Sequence, residues 1–439
     1  MSARFGGAFR RTVTARMGMD NRGRARHFFG MSMDADALIV GGGLNGPAMA
    51  LALACAGMRV TVLDAAALDA ATAAAFDGRA YNLGLGSQRF LKVAGVWGAV
   101  ADAAQPVTRV ALEDARPGAG PTPALAHFDH AELDEGPVSV ILEDRVLRPA
   151  LLAAAAAHPG VTLRGGADVI ATRQGPGAAE AEVAGGETLR APLLIACDGR
   201  ESPVARRAGI RRVGWGYDQT GLVSAIEHEA DHAGVARQRF LPGGPFAVLP
   251  LPGGHRSSLV WTERTAEAAR IHALPDAAYL VELEARLGGA LGAVSLAGRR
   301  WRYPLKLSVA DAWAKPRLAL AGDAAHAVHP IAGQGLNLGL RDAAALAEVL
   351  AEARRRGEDI GAEQVLERYV RWRRFDGVSM ALGMDAVNRL FSNDDPGLRL
   401  LRDAGLALAG RLAPARRFFM REAAGVSGDV PRMLRGLPV

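Results

Sequence analysis

The stretch from Ala37 to Asp64 constrains the fold of this chain more than any other. An apolar run, Ala37-Leu38-Ile39-Val40, enters Gly41-Gly42-Gly43-Leu44-Asn45-Gly46, and a helix is expected from Pro47 to about Ala56. Gly41, Gly43 and Gly46 satisfy the spacing G-x-G-x-x-G. The first permits a tight turn, the second lets a pyrophosphate approach the backbone, and the third lets helix and strand pack closely. Pro47 suits a first helical position and Gly57 a stop. A second strand, Arg59-Val60-Thr61-Val62-Leu63, ends at Asp64, an acid placed to accept hydrogen bonds from ribose hydroxyls. Unpaired N–H groups at the helix start would face the phosphates. The unit predicts the opening of a dinucleotide-binding sheet without separating a nicotinamide from a flavin nucleotide.

The same stretch carries no charge from Ala37 to Met58, a length a membrane span would also show. Its GGGLNGP centre cannot sustain a continuous helix, so no transmembrane segment is expected. With 439 residues, 49% hydrophobic and 22% charged, the chain has material for two or three domains with a large core. The net charge of +6 raises nucleic acid and anionic lipid as partners. Arg4, Arg10, Arg11, Arg16, Arg22, Arg24 and Arg26, set against Asp20, account for all of it. The rest of the chain balances to zero, so nucleic acid is not an expected partner. Residues 1–33 are expected to be a basic, disordered extension. They could be an Arg-rich targeting peptide; an over-extended gene start, with Met31 or Met33 opening the working chain, is the simpler reading. Cys55 and Cys197 lie apart in apolar surroundings, which suggests buried thiols in a reducing compartment and no metal site.

Two further strand ends complete the pattern. Leu193-Leu194-Ile195-Ala196-Cys197 is a short apolar strand ending in Asp198-Gly199, after which Ser202 caps a helix with Pro203 at its first position and Gly209 at its end. Arg317-Leu318-Ala319-Leu320-Ala321 delivers Gly322 and Asp323 to a turn, where the carboxylate could hold a polyol hydroxyl. His329, Pro330, Gly333, Gly335 and Asn337 follow, and a helix is expected from Gly335 to the Arg354-Arg355-Arg356-Gly357 stop. The positive end of that helix would stabilise negative charge on a bound ring. His326 and His329 are read as turn histidines rather than metal ligands.

Taken together, these motifs resemble the signature set of the group A flavoprotein monooxygenases, and more closely the ubiquinone-biosynthesis ring hydroxylases. The likeness is carried by residues 322–346, GDAAHAVHPIAGQGLNLGLRDAAAL; 77–97, DGRAYNLGLGSQRFLKVAGVW; 238–254, QRFLPGGPFAVLPLPGG; and 418–425, FFMREAAG. It spans about residues 34–426. The resemblance implies FAD as cofactor, NADPH or NADH as electron donor, and molecular oxygen passing through a flavin hydroperoxide to the aromatic ring of a polyprenylated phenol. It also implies that Arg79 and Arg145 contact the flavin nucleotide and that Gly333 to Asn337 line the isoalloxazine. The protein would be cytoplasmic, at times peripheral at the inner face of the membrane or held in a quinone-biosynthesis complex.

The expected architecture is α/β. A Rossmann-type FAD domain would be assembled from residues 34–103, 138–212 and 313–352, with a β-sheet substrate domain inserted as 104–137 and 213–312 and a helical region over 353–439. Gly175-Pro176-Gly177 and Gly84-Leu85-Gly86 imitate a second glycine fingerprint, but each lacks the third glycine and no helix is expected after either. No catalytic base is identified; Tyr217, Phe246 and Trp261 fall in the substrate segment but suit a core equally well. A hydroxylase of another phenol and a flavin reductase remain alternatives, as does a non-enzymatic flavin-binding module. A halogenase would need a W-x-W-x-I-P run, and Trp215 is followed by Gly216 and Tyr217. Between Leu398 and Arg421, six arginines (Arg399, Arg402, Arg411, Arg416, Arg417, Arg421) stand against Asp403, with Leu398, Leu401, Leu408 and Leu412 at helical spacing. Such a segment could lie at an anionic membrane surface or pack on the core.

Overall fold

The computed structural model describes residues 17–19, 25–27 and 33–439, apart from 70–75, 133, 134 and 394. The basic extension at 1–33 thus falls largely outside the described residues; within it, Met17–Met19 pairs antiparallel with Ala25–His27.

A six-stranded sheet runs in the order Val161–Gly165, Val60–Asp64, Ala37–Val40, Leu193–Ala196, Leu318–Leu320, Ala314–Lys315. Its first five strands are parallel, and the last is an antiparallel edge. The three central strands are short apolar runs without alternation, and every residue in them is buried, as a sheet covered on both faces requires. On one face, the helices Asn45–Cys55 and Gly335–Arg355 pack side by side through alanines, which let their backbones approach closely. The other face is covered by a three-stranded antiparallel sheet, Val169–Gln174, Ala179–Val183 and Thr188–Ala191. Gly175-Pro176-Gly177 is the hairpin turn between the first two of these strands.

The second glycine imitation departs from expectation. A helix, Leu85–Val93, does follow the strand Ala80–Gly84. The glycines there accommodate protein rather than a phosphate. A Cβ on Gly84 would lie 2.9 Å from the Ala423 carbonyl oxygen, and one on Gly86 2.7 Å from that of Gly425.

An eight-stranded sheet draws on other parts of the chain, in the order His326–Ala327, Val294–Ala310, Arg212–His228, Arg256–Arg264, Gly244–Leu251, Val235–Leu241, Arg109–Asp114, Ala126–Asp129. Helices Thr265–Ala273 and Asp276–Leu287 pack on it around Phe246, Trp261 and Tyr279. Phe246 and Trp261 are therefore core. The two-residue strand His326–Ala327 pairs with Val294–Ala310, so the segment just after Asp323 joins the two sheets. A small sheet joins Ala80–Gly84, Ser139–Glu143 and Gln105–Pro106, and the C-terminal part is helical, comprising Glu363–Phe391, Pro396–Arg411 and Ala413–Ala424. Among the described residues, no helix is long and apolar enough to cross a membrane.

Candidate functional site

The glycine turn is held from two sides and open on a third. Gly41 adopts φ +110°, and a Cβ there would lie 2.4 Å from the Cys197 carbonyl oxygen. At Gly46 a Cβ would meet the Gly41 carbonyl oxygen at 1.8 Å, so helix and strand cross at contact distance. A Cβ on Gly43 would meet nothing within 4 Å. Asp64 lies beneath the turn, accepting the N–H groups of Gly42 and of Ala66, the latter at 2.7 Å. Each carboxylate oxygen keeps a further lone pair for a hydroxyl. A cavity of about 310 Å³ opens there, lined by Gly42, Gly43, Asp64, Leu68 and Arg148 among others.

Arg148 was not anticipated from sequence. It lies on the helix Asp144–Ala157, whose first residue holds Arg79, one of the two predicted arginines. Buried Asp144 accepts from Arg79 at 3.0 Å and from the Tyr81 hydroxyl at 2.8 Å, with Arg148 3.7 Å away. Arg79 also pairs with Asp77 at 2.8 Å and stacks over Trp301; Arg145 pairs with Glu143 and lies over the Phe76 ring. Both are half-exposed and fixed by neighbours, so their forks are oriented before any ligand arrives. The signal for Arg148 was its position one helical turn beyond Arg145.

The two acidic strand ends flank the glycine turn. A Cβ on Gly41 would lie 2.8 Å from the Asp198 amide nitrogen, which places Asp198 at the back of the turn. Its Oδ2 accepts from the Val204 N–H at 3.0 Å, and burial raises its pKa above the usual carboxylate range. Gly322 adopts φ +61°, and its absent side chain leaves room for Asn45, whose Nδ2 would be 2.3 Å from a Cβ there. Asp323 follows with its carboxylate half-open and Arg200 at 4.0 Å. Its backbone is clamped by Arg212, which donates to the Asp323 carbonyl at 3.1 Å and to Ser308 Oγ at 2.6 Å. Arg212 was also missed, because it acts across 111 residues of sequence.

Gly333 sits against the Cβ of Asn82, and a Cβ on Gly335 would meet nothing within 4 Å. Pro330 opens a short turn that ends at Gly333 in the left-handed conformation. Asn337 ties the helix start to the strand Ala80–Gly84: its Oδ1 accepts from Ser87 at 2.7 Å and Gly84 N at 3.0 Å, and its Nδ2 donates to the Asn82 carbonyl. Its side chain is thus taken up within the protein, leaving Gly335 as the open position.

Below the turn lies a buried charge network. Asp342 accepts from Gly322 N at 3.0 Å and Arg373 Nε at 2.9 Å, and shares a 2.6 Å hydrogen bond with His326. Burial alone would raise its pKa, but His326 and Arg373 outweigh it and hold the carboxylate below its usual range. His326, expected in a turn, lies instead in the short strand His326–Ala327, with Asp342 as its structural partner. His329 is fully buried; its Nδ1 accepts the Ile331 N–H, and burial lowers its pKa from 6.5 to about 4. Tyr217 crosses it edge-on, ring centroids 5.1 Å apart.

The residues fit a dinucleotide with a ring system at one end. Space is kept at Gly43 and Gly335, acids stand at Asp64 and Asp323, and buried oxygens of Asn45, Asn82 and Asp198 have no hydrogen-bond partner in the protein. Such orphaned acceptors are expected where a ligand completes the bonding.

Comparison with known proteins agrees. The family model for an FAD binding domain matches residues 34–378. The chain is 43% identical to the ubiquinone hydroxylase UbiL of Rhodospirillum rubrum, over 92% of this chain and 94% of that one. It is 38% identical to the 3-demethoxyubiquinol 3-hydroxylase of Escherichia coli, over 88% of this chain and 98% of that one. Among solved structures, the p-nitrophenol 4-monooxygenase PnpA of Pseudomonas putida superposes with a TM-score of 0.73 at 22% identity, covering 91% of this chain and all of that one. The chain belongs to the FAD-binding-domain family of flavoprotein monooxygenases and is an oxidoreductase of that kind.

Proposed function

We propose that this protein hydroxylates the aromatic ring of a polyprenylated phenol in ubiquinone biosynthesis, with FAD as cofactor, NADPH or NADH as electron donor and molecular oxygen as co-substrate. The observation that carries this is whole-length likeness to two hydroxylases of ubiquinone-type substrates. Bound FAD would supply the oxygen activation. The chain's own residues bind, orient and exclude water. Asp64 would accept the adenosine ribose hydroxyls, Gly43 would admit the pyrophosphate, and Arg79, Arg145 and Arg148 would balance its charge. Asp323 would hold the ribityl chain, and the start of the helix Gly335–Arg355 would stabilise negative charge at the pyrimidine edge. In this division residues 34–103, 138–212 and 313–352 serve FAD, 104–137 and 213–312 roof the substrate, and 353–439 close the molecule. A lipid surface is the proposed source of so apolar a substrate.

Purified, FAD-loaded protein should consume NADPH or NADH and oxygen with a polyprenylated phenol and add one oxygen atom to the product, read by mass spectrometry. Hydroxylation of short phenols but never of prenylated ones would replace the substrate class. Oxidation of the electron donor with no oxygenated product from any phenol would overturn the hydroxylase assignment.

A further inference from the structure

Away from the flavin-side elements, a groove of about 520 Å³ opens where the C-terminal helices meet the outer edge of the eight-stranded sheet. Ala126–Asp129 is the last strand of that sheet, so among the described residues no further strand covers its outer edge. The helix Pro396–Arg411 lies against it; a Cβ on Gly410 would come within 2.8 Å of the Ala126 Cβ. Leu125, His127, Glu132, Ala407, Arg411 and Arg416 are among the residues that line the groove.

The charged lining is only partly engaged within the protein. Arg416 Nε donates to both Glu132 oxygens, at 2.9 and 3.0 Å, and its Nη1 to the Gly410 carbonyl at 2.7 Å. Among the described residues its Nη2 end has no partner, and Arg411 is exposed with no hydrogen bond or ion pair. Besides His127, the ionisable lining is thus two arginines and one glutamate, an excess of one positive charge. The rim is apolar. Leu408 and Leu412 stand three residues before and one after Arg411, and Phe418 and Phe419 follow shortly after Arg416; all four are at least half-exposed. A cationic groove beside unburied apolar side chains matches an amphiphile whose single negative charge sits next to its chains.

We propose that this groove holds the headgroup of one membrane phospholipid. Arg411 and the open end of Arg416 take the phosphodiester oxygens, and the rim takes the first methylenes of the acyl chains. A phosphodiester carries one negative charge, which the lining balances; inorganic phosphate near neutral pH carries more and has no chains to meet the rim. Zwitterionic and anionic phospholipids share this group, so the contact needs no net surface charge. The site gives the lipid surface proposed above as the source of substrate a fixed point of contact, and it rests on no step of the flavin chemistry.

Titration calorimetry on the full chain loaded with FAD tests this with dihexanoyl phosphatidylcholine kept below its micelle concentration. The lipid should bind saturably at one site per chain. Glycerophosphocholine, with the same phosphodiester but no chains, should bind more than about tenfold weaker, and inorganic phosphate should not compete. Arg411→Gln removes an exposed, unpaired cation, so FAD content and the urea midpoint should stay as in the parent while lipid affinity falls by about tenfold. Arg417→Gln, an exposed neighbour outside the groove, should leave lipid affinity unchanged. Absence of saturable lipid binding overturns the site, as does an Arg411→Gln protein that binds like the parent. Equal losses in Arg411→Gln and Arg417→Gln would reduce the effect to general surface charge, and glycerophosphocholine or phosphate binding as tightly as the lipid would make the groove a site for free anions; either result also overturns the proposal. Turnover of a soluble phenol separates this site from the hydroxylase assignment. Oxygenated product without lipid binding sinks the groove alone, whereas lipid binding without product from any phenol sinks the hydroxylase assignment alone.

Discussion

Gly43 and Gly46 are three residues apart in one turn, yet a side chain would act oppositely at each. At Gly46 it would strike the Gly41 carbonyl; at Gly43 it would project into open space above the helix start. Gly43→Val should fold normally and lose most of its flavin, whereas Gly46→Ala should lower stability itself by about 1–3 kcal/mol through overpacking. Asp323→Ala should weaken FAD binding by about 1.5–3 kcal/mol, the worth of a hydrogen bond to a charged group, with the fold intact because the carboxylate is half-open. Flavin titration beside urea melts separates these outcomes, and full FAD affinity in Asp323→Ala would remove that residue from the site. His329 sets a pH dependence. Its folded pKa, about 4, lies below the ordinary 6.5, so the unfolded chain takes up this proton more readily between those values. The stability held by the neutral ring is complete above about pH 6.5 and is lost as pH falls toward 4, in total roughly 3 kcal/mol at about 1.4 per pKa unit. His329→Asn should flatten that part of the stability profile, measured by denaturation at pH 7 and pH 5.

Among the elements, the helix Gly335–Arg355 carries the most consequence, because Asp342 within it fixes the turn that presents Asp323. Asp342→Asn would leave buried Arg373 with Asp376 as its remaining carboxylate partner, so the loss should fall below the about 3–5 kcal/mol of a fully unpaired buried charge. We expect a lower urea midpoint together with weaker FAD binding; loss of stability with unaltered flavin affinity would show that the network does not position the turn. This network also marks the limit of what sequence conveys. The strand–turn–helix unit, the capped helix after Asp198 and the Gly335 helix were legible because each is local: glycines, prolines and caps act within a few residues. The clamp of Arg212 on Asp323, the Arg148 cavity and the helix after Gly84 were not. Each depends on partners brought together by the sheets, and in the last case on carbonyls from Ala423 to Gly425.

On the scale of the whole molecule, the basic C-terminal segment is partly engaged within the protein. Arg399 and Arg402 hold Asp114 at 3.2 and 2.7 Å, Arg416 holds Glu132 at 2.9 Å, and Arg421 holds Glu135 at 3.3 Å. Four of the six arginines are thus paired within the protein, fastening the helices Pro396–Arg411 and Ala413–Ala424 to the sheet edge. What faces outward is apolar: Leu400, Leu408, Leu412, Phe418 and Phe419 are all at least half-exposed, with Arg411 and Arg417 exposed beside them. Exposed apolar groups of this size commonly mark an interaction surface. If that surface meets lipid, insertion of side chains rather than attraction of charge should dominate. Binding to vesicles should then persist with zwitterionic lipid and change little with salt. It should fall strongly when Leu412, Phe418 and Phe419 become Ser, with FAD content preserved. Arg416→Ser together with Arg421→Ser should instead loosen the helices, because Glu132 loses its partner and Glu135 keeps only Arg89. Sedimentation with vesicles at low and high salt decides the matter. Binding abolished by salt would restore an electrostatic mechanism, and no binding under either condition would leave these helices to a protein partner that delivers the substrate.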